Sequence, residues 1–577
     1  MSAAGTVGDT PGQAAGDVVQ GAWPAVLAEL AAAGVGTVFG LPSDDVAMLR
    51  AAAGPAPAAP HLVVCRDQRA AGYMAVGHAQ AAGTTGVVVV GKGPAVTTVS
   101  TAVLEASASR TPLLVLATGT APEHRDTGAF QELDQVAVLG PLVRRAIRVE
   151  TPARLVPALR QALWTATGPV PGPVYLEIPE HLLDALVPVP PGDGPSIEEA
   201  TAGPLPEGSR AGRLLAGAQR PLILAGGGAR GAAPEVLALA EALDAPVFLT
   251  ASGRGRIDEE HPHVVGLSGL YCHAEVVALW AEADLVVALG SRLEETATIG
   301  WPDAIGTTVP VLQVNRAAAE FSAGHGGHRV VGDVAAVARG WAACAGPDRG
   351  PWRRRGEVCR AAALAAGTEQ ATTPGAGVRP ARVADALAAV AAHTPDDRVL
   401  VAENGLADML TYHWPAYVCR GGGGWVAPSE QTPLGFGAAA AVGVKRAVGE
   451  RCVVAVVGDG AFTLVDADLP TAADHGLGVL YVVVDNGGYG WLESQRRPGD
   501  GIPAGIFARA GRDLPGSPDP RVRLFGVTEA AQVGPAVAEA YAETRAGRVA
   551  VVWVRVGLDD GPHAGAPLDG DVPVLPG

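Results

Sequence analysis

Aromatic residues are scarce in this chain: of 577 residues, 8 are Phe, 8 are Tyr and 10 are Trp. An aromatic-rich β-sandwich is therefore not expected. The apolar share of 48% comes largely from Ala and Val, the small and β-branched side chains that fill α/β layers. Cysteine is also sparse. The six residues (Cys65, Cys272, Cys344, Cys359, Cys419 and Cys452) are scattered without a CxxC pair, which speaks against a disulfide framework and for a reducing compartment. Positive charge is deficient, with 42 Lys and Arg against 59 Asp and Glu and a net charge of −17. A surface of that sign repels phosphate backbones and anionic lipid, so neither nucleic acid nor membrane is an expected partner. No apolar run reaches the ~20 residues that span a bilayer. The opening MSAAGTVGDTPGQAAGDVVQ lacks the basic segment and apolar core of a signal peptide. A soluble, cytoplasmic protein is the expectation.

At roughly 150 residues per domain, the length calls for three or four domains. Two Pro/Gly-rich stretches, 187–208 and 345–380, read as surface linkers. The second carries the basic patch Arg353, Arg354 and Arg355, with enough Ala and Leu for a short helix. They leave an N-terminal domain over 22–186, a central domain over 209–344 and a C-terminal domain over 381–560. Each alternates short β-branched runs with Ala-rich stretches such as Gln68–Ala82. TVFGL (37–41), LVVC (62–65), VVVVG (87–91) and PLLVLAT (112–118) read as strands of the first domain. PLILAG (221–226), PVFLT (246–250), LVVALG (285–290) and PVLQV (310–314) do so in the second, and RVLVA (398–402), CVVAVV (452–457), VLYVVVD (479–485) and VAVVWVRV (549–556) in the third. Continuous apolar runs of this length fit strands buried on both faces of a parallel sheet. The expected fold class is α/β, with three doubly wound parallel-sheet domains.

The segment richest in chemistry is Val457-Gly458-Asp459-Gly460-Ala461, answered by Asp485-Asn486-Gly487-Gly488-Tyr489 at the end of the next strand. A crossover helix is expected between them, with Asp466 or Asp468 as its cap and Pro470 in its first turn. In a right-handed βαβ unit both loops emerge at the carboxyl ends of neighbouring strands, so Asp459 and Asn486 face one another. A carboxylate, an amide oxygen and a backbone carbonyl suit Mg²⁺, which takes about six oxygen ligands and is commonly shared between protein and phosphate. The glycines let the backbone come close, and the helix N-terminus offers amides to phosphate.

Gly-Asp-Gly, a spacer and an Asn-Gly turn resemble the thiamine diphosphate signature of pyruvate decarboxylases, acetolactate synthases and benzaldehyde lyases. The resemblance runs from about Ala22 to Val556 and implies the domain order pyrimidine-binding, central, diphosphate-binding. It implies Asp459, Asn486 and the Gly488 carbonyl as Mg²⁺ ligands, with Gly458, Gly460, Ala461 and Tyr489 around the cofactor. Thr432-Pro433-Leu434-Gly435-Phe436-Gly437 resembles the family's G-x-M-G-F-G. Leu434 would prop the two rings of the bent cofactor, and the Thr432 carbonyl would face its 4′-amino group. Glu403-Asn404-Gly405-Leu406 stands where relatives contact the diphosphate, which brings in Asn404, Gly405 and Leu406.

Four further residues are catalytic candidates by the same resemblance. Cys65-Arg66-Asp67-Gln68 resembles a segment like R-H-E-Q, whose glutamate hydrogen-bonds the pyrimidine N1′. Asp67 is one carbon shorter, about 1.5 Å of reach, and is equally placed to cap the following helix. Gly91-Lys92-Gly93-Pro94-Ala95 resembles the S-G-P-G loop, with Lys92 either receiving a carboxylate or solvated. Phe130-Gln131-Glu132 resembles A-F-Q-E of acetolactate synthases, and LDQVA resembles benzaldehyde lyase relatives. Phe130 and Gln131 would line the acceptor pocket, and His124 is a candidate proton donor or a plain surface histidine. The Gly/Pro-rich region 499–520 reads as an altered lid.

Gly226-x-Gly228-x-x-Gly231 has the form of a dinucleotide fingerprint, but no Asp or Glu ends the next strand to take a ribose. FAD, which some acetolactate synthases bind on this domain, is accordingly the lesser cofactor expectation. The whole resemblance implies a thiamine diphosphate- and Mg²⁺-dependent carboligase that decarboxylates a 2-oxo acid, pyruvate by default, and passes the acyl unit to a carbonyl acceptor. Its site would lie between the first domain of one subunit and the third of its partner, in a homodimer or homotetramer. The alternatives are a 2-oxo acid decarboxylase without ligation and a cofactor-binding relative with little activity.

Overall fold

Where Val, Leu and Ile run without interruption, the chain forms strands with no wet face. Gly86–Val90, Leu285–Leu289 and Leu480–Asp485 are buried at every position, as central strands of layered parallel sheets are. The structure is a computed structural model that describes residues 18–41, 59–190, 209–343, 349–372, 379–405, 408–494, 501, 503, 505–507, 519–557 and 560. Within them stand three six-stranded sheets, every pairing in which is parallel.

The first sheet runs, in space, His61–Val64, Thr37–Leu41, Gly86–Val90, Leu113–Gly119, Pro173–Pro179, Arg145–Arg148. The third runs Gly424–Val426, Val399–Ala402, Val453–Gly458, Leu480–Asp485, Val549–Arg555, Val522–Val527. Counted along the chain within each sheet, both have the order 2-1-3-4-6-5. The middle sheet differs. Its order of Val264–Leu267, Val247–Leu249, Pro221–Ala225, Leu285–Leu289, Val311–Asn315, Gly327–Val331 is 3-2-1-4-5-6, the doubly wound dinucleotide-binding order.

The expected linkers carry more structure than their composition suggested. Leu186–Val189 pairs antiparallel with Val18–Gly21; 191–208 lie outside the described residues. In the second linker, Gly350–Thr372 forms a 23-residue helix. Trp352 Nε1 donates to the Pro221 carbonyl at 2.8 Å and Arg360 Nε to that of Val264 at 2.9 Å, anchoring the helix to the middle sheet. The basic patch is partly neutralised there, Arg353 by Asp244 and Glu357, Arg355 by Glu282.

The first and third domains meet through equivalent elements. Helix Gln68–Ala82 and helix Phe436–Val448 each follow the second strand of their sheet and precede the third. They pack against each other within one core that also takes in residues of both sheets. Arg254, fully buried, ties the middle domain to the third by pairing with Glu259 and donating to the carbonyls of Thr411 and Tyr417 at 2.6 and 2.7 Å. Cys65, Cys272, Cys359, Cys419 and Cys452 are free thiols. Among the described residues no helix is long and apolar enough to cross a membrane.

Candidate active site

A 2-1-3-4-6-5 sheet reverses direction between its first and third strands, and in open α/β sheets ligands bind outside the carboxyl ends at that point. In the third sheet this crevice lies between the loops after Val399–Ala402 and Val453–Gly458. The loops are Glu403-Asn404-Gly405 and Gly458-Asp459-Gly460; Leu406 lies outside the described residues. The neighbouring strand Leu480–Asp485 pairs Val484 with Gly458, so Asn486 emerges beside Asp459. Among the described residues, a Cβ placed on Gly458 or Gly487 would meet no atom within 4 Å. The described residues therefore leave space over both turns, as a bound diphosphate requires.

Asn486 is held ready rather than consumed. Its Oδ1 accepts the Gly488 amide at 3.2 Å, an Asx turn that fixes the side chain and leaves the oxygen a second lone pair. The adjacent Asp485 is different in kind. It is buried, and its carboxylate takes the Gly487 amide at 3.0 Å, Trp553 Nε1 at 2.9 Å and Arg555 Nη2 at 3.0 Å. Its role is to brace the turn. Tyr489 is exposed, its amide bonded to the Phe507 carbonyl at 2.9 Å. The region 499–520 lies mostly outside the described residues.

Asp459 opens a short helix, Asp459–Phe462, and Pro470 sits in the first turn of Leu469–Asp474 as anticipated. The expected cap is not formed. Asp468 instead turns its Oδ1 to the Arg66 amide of the first domain at 2.8 Å. Burial raises its pKa against the opposing pull of that amide and of the Thr471 hydroxyl. Arg69 Nη2 donates to the Leu464 carbonyl at 3.1 Å. Loop 461–468 thus joins helix Asp459–Phe462 to the strand end that carries Asp67. The same loop touches the Leu434 turn: a Cβ on Gly435 would lie 3.2 Å from Val465 Cγ1 and 3.6 Å from Leu464 Cβ. The contacts of Arg66 and Arg69 join the first and third domains within one chain.

Leu434 projects from its turn with 46% of its surface exposed, unlike a core leucine. Thr432 has a left-handed φ of 40°, and its carbonyl accepts Asn404 Nδ2 at 3.3 Å. Asp67 realises the capping alternative: Oδ1 accepts the Ala70 amide at 3.0 Å and lies 3.8 Å from Arg69 Nε. Its Oδ2 has no hydrogen bond among the described residues, and neither has the side chain of the next residue, Gln68.

On the substrate side the structure brings two of the predicted residues together and leaves a third apart. Lys92 follows the third strand of the first sheet, at that sheet's own reversal point, and is ion-paired with Glu180 rather than solvated. The Gln131 backbone, at a left-handed φ of 56°, packs on Gly93, where a Cβ would come within 2.7 Å of its carbonyl oxygen. Phe130 beside it is exposed. His124 stands on the surface in a 3-10 turn, its ring without a hydrogen bond among the described residues.

Two residues escaped the motif search. Gln135, within LDQVA, is buried. It accepts the Gly93 amide at 2.6 Å and donates to the Thr118 carbonyl at 2.9 Å, above a network of buried Tyr175 and Glu177 with half-buried Arg148. Glu105, fully buried in helix Pro94–Ala108, accepts from the Ser429 amide at 2.9 Å and hydroxyl at 2.7 Å, and burial pushes its carboxyl up to about 7. A lone carboxylate inside an Ala/Val helix was the signal available for it.

The middle domain's glycines have another use. Gly226 and Gly228 donate to the carbonyls of Leu289 and Gly290, both at 2.9 Å. A Cβ on Gly228 would lie 2.8 Å from Gly290 Cα. The two loops fill the crevice with each other, so the Gly228 amide is not directed at a pyrophosphate.

A reversal-point crevice with a carboxylate, an amide oxygen and open glycine turns marks an α/β enzyme built around a phosphate-bearing cofactor. Comparison with known proteins identifies the cofactor class. Residues 23–138 match the thiamine pyrophosphate enzyme N-terminal TPP binding domain, 209–340 the central domain and 405–552 the C-terminal TPP binding domain. An acetolactate synthase large subunit of Parasynechococcus marenigrum is 30% identical over 80% of this chain and 76% of its own. A probable 2-ketoarginine decarboxylase of Pseudomonas aeruginosa is 29% identical over 84% and 85%. In fold, the thiamine diphosphate-dependent 4-hydroxybenzoylformate decarboxylase of Rhodococcus jostii superposes with a TM-score of 0.75 at 21% identity, covering 94% of this chain and all of that one. The chain belongs to the thiamine pyrophosphate enzyme family and is a thiamine diphosphate-dependent enzyme of acetolactate synthase-like type.

Proposed function

We propose that this enzyme is a Mg²⁺-dependent carboligase that decarboxylates a 2-oxo acid, pyruvate by default, and transfers the acyl unit to a second carbonyl compound. The observation that carries the reading is the adjacency of Asp459 and Asn486 at the carboxyl ends of paired strands, with space left over Gly458 and Gly487 by the described residues. Asp459, Asn486 Oδ1 and the Gly488 carbonyl hold the metal. The amides of Gly460 and Ala461, with Asn404 and Gly405, meet the diphosphate, and Leu434 supports the rings. When bound there, thiamine diphosphate supplies an electron sink for a carbonyl carbon that is losing CO₂. Asp67 Oδ2 holds the proton at the pyrimidine N1′ while Oδ1 caps its helix.

Lys92 takes the substrate carboxylate in exchange for Glu180, and Gln131 faces the acceptor. A second copy of the chain is the expected partner. Large apolar side chains are exposed in the loops and the short helix Gly490–Ser494 around the site (Leu434, Leu464, Tyr489, Trp491, Leu492 and Ile506), which suits a surface that another subunit covers. The free thiols suit a cytoplasmic setting.

Decarboxylation without ligation is the second reading, favoured by the likeness to a probable 2-ketoarginine decarboxylase. The surface position of His124, the candidate proton donor, weighs against it. Incubation of the protein with thiamine diphosphate, Mg²⁺ and a panel of 2-oxo acids, read by CO₂ release and product mass, separates the two. A hydroxyketone longer than the donor supports ligation, aldehyde alone supports the second reading, and no CO₂ from any donor overturns both.

A further inference from the structure

The turn that carries Leu434 is fastened from outside its own domain. Within it, the Ser429 carbonyl accepts the Thr432 amide at 2.9 Å and the Ser429 hydroxyl accepts the Gln431 amide at 3.2 Å. Thr432 then adopts its left-handed φ of 40° and Gly435 a φ of 87°. A non-glycine residue in that region costs of order 1 kcal/mol and persists only when its surroundings impose it. Three contacts do the imposing. Asn404 holds the Thr432 carbonyl from within the third domain, Thr296 of the middle domain donates to the Glu430 carboxylate, and Glu105 of the first domain takes both the amide and the hydroxyl of Ser429.

Glu105 is the unusual member. Its side chain is fully buried, yet no lysine, arginine or histidine pairs with it among the described residues, and its carboxylate has only the two donors of Ser429. Burying an unpaired carboxyl group is costly, and a hydrophobic side chain would fill a position inside an Ala/Val helix at less cost. The group is therefore better explained by what it holds than by the packing it provides.

We propose that Glu105 is a positioning residue for the cofactor: by fixing Ser429 across the domain boundary, it sets the height and direction of the Leu434 turn. The inference rests on the reading of Leu434 as the support beneath thiamine diphosphate. It assigns the first domain a second contribution to the site, distinct from Asp67, which touches the third domain's loop 461–468 through its neighbours Arg66 and Arg69.

The test is a fluorescence titration of thiamine diphosphate, with Mg²⁺ present, into the full-length protein and its E105A, S429A, E105Q and E105A/S429A variants, well below their melting temperatures. Loss of the two Ser429 hydrogen bonds at the base of the turn should weaken cofactor binding by about tenfold in E105A. S429A should behave alike, and the double variant should bind no more weakly than the worse single one, because the two side chains act through one contact. E105Q, which keeps one acceptor oxygen, should fall between E105A and the unsubstituted protein. Hydrogen exchange should quicken in residues 427–435 of E105A without cofactor. Cofactor affinity in E105A and S429A within twofold of the unsubstituted protein overturns the proposal and leaves the cofactor reading intact. An unsubstituted protein that binds no thiamine diphosphate overturns both.

Discussion

Gly77 lies so close to Ala440 that a Cβ on the glycine would sit 2.6 Å from the Ala440 carbonyl oxygen, and one on Gly443 would sit 1.8 Å from that of Met74. Helices Gln68–Ala82 and Phe436–Val448 therefore cross with their backbones in contact, and no side chain stands between them. They occupy the same place in two sheets of the same strand order. The first and third domains are thus one topology used twice and joined through equivalent helices. The N-termini of those helices carry Asp67 and the Leu434 turn.

That crossing has no room to relax, because the atoms in the way are backbone. Gly443→Val should destabilise the protein by about 1–3 kcal/mol or prevent assembly of the two domains. Gly217→Ala, at the end of helix Arg210–Gly217, where a Cβ would meet no described atom within 4 Å and φ is not positive, tests mere loss of glycine. Thermal unfolding of the two variants checks the difference, and equal melting temperatures would contradict the packing.

The two neighbouring acidic and amide positions after strand Leu480–Asp485 should separate cleanly by experiment. Asn486→Ala and Asp459→Ala remove the proposed metal ligands from the crevice, so the fold should survive while Mg²⁺-dependent retention of thiamine diphosphate falls at least about tenfold. Asp485→Ala leaves the Trp553 and Arg555 donors without their acceptor, and should lower thermal stability by about 1–3 kcal/mol. Calorimetric titration beside thermal unfolding reads both. A large stability loss in Asp459→Ala would place that residue with the braces.

Asp67 has one oxygen on the Ala70 amide and one without a hydrogen bond among the described residues. Asp67→Ser keeps a cap but removes the carboxylate, and Asp67→Ala removes both, at about 1 kcal/mol for the cap. If Oδ2 holds the pyrimidine proton, both variants lose about 10²–10⁴-fold in kcat while only Asp67→Ala loses stability. Full activity in Asp67→Ser would reduce Asp67 to a cap. Gln68→Glu is the companion variant, because the Gln68 side chain stands beside it with no hydrogen bond among the described residues, and a gain in rate there would move the proton-holding role one residue along.

How far the sequence could be read depends on burial. The runs at 37–41, 86–90, 285–289 and 480–485 sit inside their sheets, and being wetted on no face they spell strands without ambiguity. Arg145–Arg148 and Gly327–Val331 are partly exposed edge strands with mixed composition, and Gly424–Val426 is a three-residue edge, so none of them carries a run to recognise. The neighbourhood of Asp459 and Asn486 was legible because a single βαβ unit with fixed handedness creates it. The partners of Asp468 and Glu105 were not. Each bonds across a domain boundary, to Arg66 and Ser429 respectively, and no local rule links residues so far apart in the chain. Asp468 reads as a helix cap until the first domain's Arg66 amide is seen beside it.

Glu105 should also leave a mark on stability against pH. Its carboxyl titrates at about 7 in the folded chain against an ordinary 4.5, because burial disfavours the charged form more than the Ser429 donors favour it. The folded state thus holds this proton more tightly than the unfolded one. Its stabilising influence is complete below about pH 4.5 and is lost as pH rises toward 7, by about 3 kcal/mol at most. Tyr73 feels the Glu105 charge, but burial raises its own pKa well above the ordinary range, against the opposing pull of Arg69 and with smaller help from Glu403 and Glu105, so it remains neutral throughout. E105Q has no proton to lose. Its melting temperature relative to the unsubstituted protein should therefore rise between pH 5 and pH 8, while its missing acceptor lowers both ends alike. A gap between the two proteins that stays constant across that range would mean that Glu105 is ionised at pH 5, and so that Ser429, or a water, stabilises the buried charge far more than two neutral donors should.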